Sequence, residues 1–250
     1  MIELYDSIRE TFGNFDFGGI NWALLWKERF NLLTGAGMTL LITSGSVIMG
    51  VFIGFWIALM RLSRRAWLRL PSILYIEAFR NTPMLVQILL VYFGIFPKLG
   101  IGDWLRESSY SFLHDSEPFV AGIIALGLNS GAYLGVIFRG GIQSIDKGQS
   151  EAALSLGMRQ YQVMSYVVLP QALANALPAI GNEFITLIKD SSLLAYIAVA
   201  ELTYRGGLVA SRSYEFFTMY IGIGIIYFVM CFSTARVLGW MERRLRVGHK

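Results

Sequence analysis

The chain is poor in the residues from which soluble surfaces and metal sites are built. Only 15% of its 250 residues are charged, beside 55% hydrophobic residues and a mean hydropathy of +0.54. An ordinary soluble domain is excluded by that balance. The single cysteine, Cys231, sits inside an apolar run and leaves no disulfide framework. With only His114 and His249 beside it, a Cys/His zinc site is excluded, and no metal is expected. The apolar runs lack period-two alternation, so sheet has no support. Low-complexity tracts and internal repeats are missing as well. The opening MIELYDSIRETFGNFDFGG has acids but no basic stretch leading into an apolar core, so no cleaved signal peptide is expected.

What is abundant is long apolar sequence. A bilayer core about 30 Å thick takes roughly 20 apolar residues of helix. Five stretches meet that need, at 38–60, 71–97, 119–138, 166–188 and 216–235. The chain therefore reads as an all-α integral membrane protein of five transmembrane helices. Its transmembrane domain covers 38–240, after an extracytoplasmic segment over 1–37 and before a tail over 241–250. The second stretch carries Glu77 and Arg80 in its first half and then Pro83, where a bend is expected. The fourth holds Pro170, Pro178, Gly181 and the acid Glu183, and is expected to be a discontinuous helix lining a wet space. SSLLAYIAVAEL (191–202) is too short to cross and reads as a re-entrant or surface segment. Ahead of the first stretch, Trp22, Leu25, Trp26, Phe30 and Leu33 recur mostly at three- and four-residue spacing. They predict a helix lying in the outer interface.

A net charge of +4 and a pI near 9.2 do not imply nucleic acid in an inserted chain; the position of the basic residues matters instead. Five spans put the termini on opposite sides. Segments 61–70, 139–162 and 236–250 hold twelve Lys and Arg, against eight before residue 38 and in 98–117 and 189–213. The excess places the C-terminus and the 139–165 loop in the cytoplasm and the N-terminus outside.

Ser46, Gly50, Gly54 and Ala58 recur every fourth residue, as do Gly127, Gly131 and Gly135. Small residues on one face let helices approach closely in lipid, within the bundle or in a dimer seam. Glu77 and Arg80, three apart, suit an ion pair that is either structural or part of a gate. Gln87, Asn129, Ser130, Tyr133, Asn182, Glu183 and Thr186 are polar groups within apolar stretches and must turn toward neighbours or a watery cavity. Glu183 is the strongest substrate contact among them, for an α-ammonium or a cationic or amide side chain.

Between two spans stands EAALSLGMRQYQVMSYVVLP (151–170). A helix from Glu151 to Leu156 would be about 10 Å long, ending at Gly157, far too short to cross. Glu151-Ala152-Ala153, then three residues and Gly157, and then Leu169-Pro170 resemble the EAA loop of bacterial ATP-binding-cassette (ABC) importer permeases. EAFRNTPMLVQ (77–87), RGGIQSIDKGQSEAALSLG (139–157), LPQALANALPAIGNEFITLIKDSSLL (169–194) and LTGAGMTLLIT (33–43) resemble the polar amino acid branch of that family. The resemblance runs from about residue 20 to the end. It implies a type I importer bundle in the bacterial cytoplasmic membrane, with an EAA loop over 143–165. Glu151, Ala152, Ala153, Leu154 and Gly157 would form a coupling helix that docks on an ATPase. It also implies two cytoplasmic ATP-binding subunits, a second permease subunit, identical or paralogous, and an extracytoplasmic binding protein that delivers an amino acid. ATP and Mg would be held by the ATPases, and this chain would need no cofactor; it has no glycine-lysine phosphate loop and no nucleophile at motif spacing from a base. The branch's acid after AYxA is replaced by Val136. An ion-coupled secondary transporter is the alternative; an intramembrane enzyme is the weaker rival.

Overall fold

Asn21 opens the first helix, its side-chain oxygen accepting the Leu24 N–H at 3.0 Å. No proline follows before Pro71, and the helix runs without a break from Trp22 to Leu62 as α1. The computed structural model describes residues 19–107 and 116–246. Expectations for residues 1–18 and 247–250 lie outside the described residues. The interfacial helix expected ahead of the first span is not a separate element. It is the first third of α1, whose 41 residues extend about 60 Å, twice what the hydrocarbon core requires.

Proline shapes the next two elements. α2 (Ala66–Arg80) and α3 (Met84–Lys98) meet at 108° across Asn81–Pro83, since Pro83 offers no N–H and holds Thr82 away from helical geometry. α3 widens to a π-helix over Leu90–Ile95, just ahead of Pro97. After α4 (Ile101–Glu107) come α5 (Glu117–Gln143) and the short α6 (Lys147–Ser155). α7 (Gln160–Ile197) corrects the discontinuous helix expected at 166–188. It widens to a π-helix over Val163–Val168 and then passes through Pro170 and Pro178 without a break. A wider turn gives the proline ring room that an α-turn denies it. The expected re-entrant segment is partly the tail of this helix, a 3₁₀ turn over Ser191–Ile197 that Ala198 ends at φ 59°. α8 (Leu202–Ser213) and α9 (Phe216–Arg246) complete the chain. Among the described residues four helices are long and apolar enough to cross a membrane, and the count is five when the bent α2–α3 pair is taken as one span.

The small-residue stripes pack on each other inside this chain. α1 and α5 run in the same direction, and a Cβ on Gly54 would lie 2.7 Å from Leu134 Cβ and 2.8 Å from the Gly135 nitrogen. Gly50 faces Ser130, and Gly131 and Gly135 face Ile53 and Ile57. α7 runs the other way, with Leu194 against Gly122 and Ala172 against Gly141. The C-terminal ends of α1 and α5, all of α6 and the start of α7 therefore share one end of the bundle.

At the opposite end the carboxylate of Glu201, fully buried, caps α8 by accepting from the Thr203 and Tyr204 N–H groups at 2.8 and 2.7 Å. Tyr227 of α9 donates to it at 2.9 Å, and Thr39 of α1 reaches it at 3.5 Å. Burial raises this carboxyl above its ordinary range, and those hydrogen bonds act in the opposite direction.

The α1–α5 seam yields a direct test. Gly54→Ala drives a methyl into backbone and should cost about 1–3 kcal/mol, read as a lower melting midpoint of the detergent-solubilised protein. Gly224→Ala, with nothing within 4 Å of the added Cβ, should not lower it.

Candidate functional site

The break between α2 and α3 leaves carbonyls without helical partners, and nearby amides take them up. Gln87 Nε2 donates to Phe79 O at 2.8 Å, Thr82 O at 3.0 Å and Thr82 Oγ1 at 2.8 Å. Asn129 Nδ2, from α5, donates to Gln87 Oε1 at 2.9 Å and Phe79 O at 3.2 Å. Gln87 is thus a buried brace for the bend, and it does not line the neighbouring cleft.

That cleft has a volume of about 440 Å³ and lies between the bend, α5 and α7. Asn129 and Tyr133 line it from α5; Asn182, Glu183 and Thr186 line it from α7. Five of the seven polar residues singled out in the sequence therefore meet in one place. Ser130 is fully buried beside it, with its hydroxyl toward Glu183 but closing no hydrogen bond of good geometry. Thr186 returns its hydroxyl to Asn182 O at 3.1 Å. Thr82, Met84, Ile137, Ala179 and Asp190 line the cleft as well, and the sequence alone did not place them among the pathway residues. Asp190 carries the most chemistry. It follows Glu183 by seven residues, two turns on the same face of α7, so the stripe Ala179, Asn182, Glu183, Thr186, Asp190 was present in the sequence as a periodic signal. Val136 does not line the cleft.

The Glu77–Arg80 ion pair does not form among the described residues. Asn81 Nδ2 takes the Glu77 carboxylate at 2.8 Å, one turn on along the same helix, and both Glu77 and Arg80 are exposed. Arg80 instead lays its guanidinium over the Tyr133 ring, 5.3 Å from its centroid, at the rim of the cleft. A larger hollow of about 590 Å³ lies between α1 and α9. Apart from Arg29 its lining is apolar, including Trp22, Trp26, Leu33 and Ile225, so it lacks the convergent polar groups that orient a polar ligand.

At the far end α6 starts earlier than expected. Asp146 caps it by accepting the Gly148 N–H at 2.6 Å, which leaves Glu151 in the middle of the helix and not at its start. Glu151, Ala152 and Leu154 are exposed, but Ala153 is buried against Val163 and Val168. Gly157 ends the helix at φ +82°, its N–H bonded to Leu154 O at 2.9 Å and the Met158 N–H to Ala153 O at 3.2 Å. These two bonds close a Schellman motif. Leu156, 84% exposed, is the largest apolar group offered by this knob.

Residues 50–247 match the model of the family described as binding-protein-dependent transport system inner membrane component. The chain belongs to that family. The octopine transport system permease protein OccM of Rhizobium radiobacter is 37% identical to this permease over 230 residues, 89% of this chain and 91% of that one. The glutamine transport system permease protein GlnP of Escherichia coli K12 is 32% identical over 91% of this chain and 98% of its own. In structure, the permease matches a chain of an amino acid ABC transporter crystallised with histidines, at TM-score 0.78 and 40% identity, covering 90% of this chain and 99% of that one. The permease is therefore a multi-pass membrane subunit of an ABC importer and a transport subunit, not an enzyme; ATPase subunits and a binding protein are the partners that the family implies. Nothing in these likenesses favours an ion-coupled carrier.

The brace at the bend predicts a specific loss. Gln87→Leu strips the Thr82 carbonyl of its donor, leaves Phe79 O and Asn129 with only their bond to each other, and should cost about 1–3 kcal/mol, seen in thermal melts of the solubilised permease. Thr186→Val, which removes only a bond within one helix turn, should shift stability by no more than about 0.5 kcal/mol.

Proposed function

We propose that this permease carries an amino acid through the cleft between the bend, α5 and α7, and that Glu183 and Asp190 receive a cationic group of the substrate. The observation that carries the reading is the placement of two carboxylates two turns apart on one face of α7, with no lysine or arginine lining the cleft. Asn129, Asn182 and the Tyr133 hydroxyl supply neutral donors and acceptors for the rest of a polar ligand. Arg80, held over Tyr133, stands at the rim with the opposite charge and suits the α-carboxylate. Octopine and glutamine, the substrates for which the two relatives are named, support an amino acid as the chemical class.

The remaining assignments follow from family and topology. The end that holds α6 faces the cytoplasm and the N-terminus lies outside, in keeping with the excess of Lys and Arg at that end. Glu151, Ala152, Leu154 and Gly157, with Leu156 beside them, form the surface that docks on a partner ATPase; Ala153 acts from behind, by holding α6 on the start of α7. ATP and Mg belong to the ATPases, and the permease holds no cofactor. A second permease subunit completes the translocation path, because a single five-helix bundle encloses a polar route poorly. The cycle then requires that nucleotide and substrate bind the outward- and inward-open states unequally.

Reconstitution with the partner ATPases and binding protein in proteoliposomes tests both halves. Glu183→Gln and Asp190→Asn should each lower uptake of lysine or arginine at least tenfold, the scale of one charge-assisted hydrogen bond, while ATP hydrolysis continues. Wild-type uptake by both variants would remove the carboxylates from the path. Gly157→Val forces a β-branched residue to φ +82°, at a strain of roughly 1–2 kcal/mol, and should lower ATP-driven uptake together with the amount of ATPase that copurifies. Unchanged coupling in that variant would overturn the docking role.

A further inference from the structure

Among the described residues, three buried side-chain polar atoms have no hydrogen-bond partner: Ser130 Oγ beside the cleft, Arg61 Nη1 and Arg139 Nε. The two guanidiniums belong together. Along the α1–α5 seam Gly50 meets Ser130, Gly54 meets Leu134, and Ala58 shares a cluster with Phe138. The other contacts of that seam, Ile53 on Gly131 and Ile57 on Gly135, carried one turn further, turn Arg61 toward Arg139. Their faces agree as well: Arg61 follows Ile57 by four residues and Arg139 follows Gly135 by four, and Ile57 packs on Gly135.

Among the described residues no carboxylate bonds Arg61 Nη1 or Arg139 Nε. The sequence has no acid between Glu28 and Glu77, and none between Glu117 and Asp146. Glu77 is held by Asn81, and Asp146 caps α6. α7, which packs on α5 at Gly141, has no acid before Glu183. Positive charge accumulates instead, since Arg64, Arg65 and Arg69 follow Leu62 directly and the first turn of α2 has no side-chain cap. A guanidinium nitrogen withdrawn from water without an acceptor is costly, and an anion relieves that cost.

We infer that Arg61 and Arg139 form a binding site for the phosphate of an anionic phospholipid, at the α6 end of the α1–α5 seam. The surroundings favour a lipid over a free ion. Trp56 on α1 and Trp67 and Leu70 on α2, all within nine residues of Arg61, are exposed apolar side chains, and they offer acyl chains a surface that inorganic phosphate would not use. Planar guanidiniums match the phosphate oxygens in pairs, which fixes the headgroup and not only its charge. The site lies at the foot of α5, between the cleft residues Asn129 and Tyr133 and the loop into α6, so an occupying lipid would brace the segment that joins them.

Native mass spectrometry of the purified permease, with added phosphatidylglycerol, phosphatidylethanolamine or inorganic phosphate, tests the site. Wild type should retain one phosphatidylglycerol per chain in preference to phosphatidylethanolamine. The double variant Arg61→Gln/Arg139→Gln should retain it about tenfold less or weaker still, and Arg243→Gln, a tail control, should retain it fully. Equal retention by the double variant overturns the proposal. So does binding of inorganic phosphate that displaces the lipid without any preference between headgroups, which would mark a free-anion site. A second readout needs no variant: in nanodiscs of matched chain length, the wild-type melting midpoint should rise with the phosphatidylglycerol fraction, and a flat midpoint overturns the site.

Discussion

A backbone carbonyl inside a lipid-facing bundle must find a donor from the protein, because the hydrocarbon offers none. At the 108° bend between α2 and α3 the helix stops supplying those donors, and the structure around the bend is arranged to replace them. Gln87 reaches back to Phe79 and Thr82, and Asn129 reaches across from α5 to Phe79 and to Gln87 itself. The bend in turn opens the cleft, since Thr82 and Met84 form one wall and α5 and α7 the others. Asn129 serves both purposes, closing the backbone account at the bend and presenting its amide to the cleft. An unbroken second span would need neither amide and would leave no polar hollow there.

The bend also requires that α5 be fixed closely beside α1, and glycine does that. At Gly50, Gly54, Gly131 and Gly135 the neighbouring helix occupies the space where a Cβ would stand. Such a seam has little slack, because packed interiors yield poorly to small displacements. Proline has the opposite part in α7 and α3. There a π-helical turn just before Pro170 or Pro97 widens the helix enough to admit the ring, so continuity is kept.

These differences account for what the sequence disclosed and what it withheld. Five apolar stretches were legible because length and hydropathy depend on local composition, and the short helix ending at Gly157 was legible because Gly157 and the Ala pair form a local pattern. Pro83 and Pro170 are indistinguishable as letters. One bends the chain and the other does not, and the outcome depends on the donors nearby and on whether a widened turn precedes the ring. Glu77 pairs with Asn81 while Arg80 lies over Tyr133, a residue more than fifty positions away that no local spacing points to. Asp190 was hidden for a different reason: it stands beyond the apolar stretch at 166–188, and its place shows only when the two-turn spacing from Glu183 is laid along one face of α7. The burial of Ala153 against Val163 and Val168 depends on how α6 folds back on α7, which no local pattern encodes.

Helices α5 and α7 connect the two ends of the molecule. α6 follows directly from α5, and Ala153 seats it on the first turns of α7. Near this end Gly141 of α5 lies with its Cα against the Ala172 carbonyl of α7, and Asn175 of α7 donates to Ser144 Oγ at 3.0 Å. A load applied to the exposed face of α6 therefore reaches α5 and α7 at their feet and together. The same two helices hold Asn129, Tyr133, Asn182, Glu183 and Asp190 along the cleft. The α1–α5 seam leaves little room for sliding, so a change in angle between α7 and the α1–α5 pair is the motion that would alter the width of the cleft. The polar groups at the cleft and the knob at the far end are in this sense parts of one lever, whose stiffness comes from small residues and whose opening comes from a single bend.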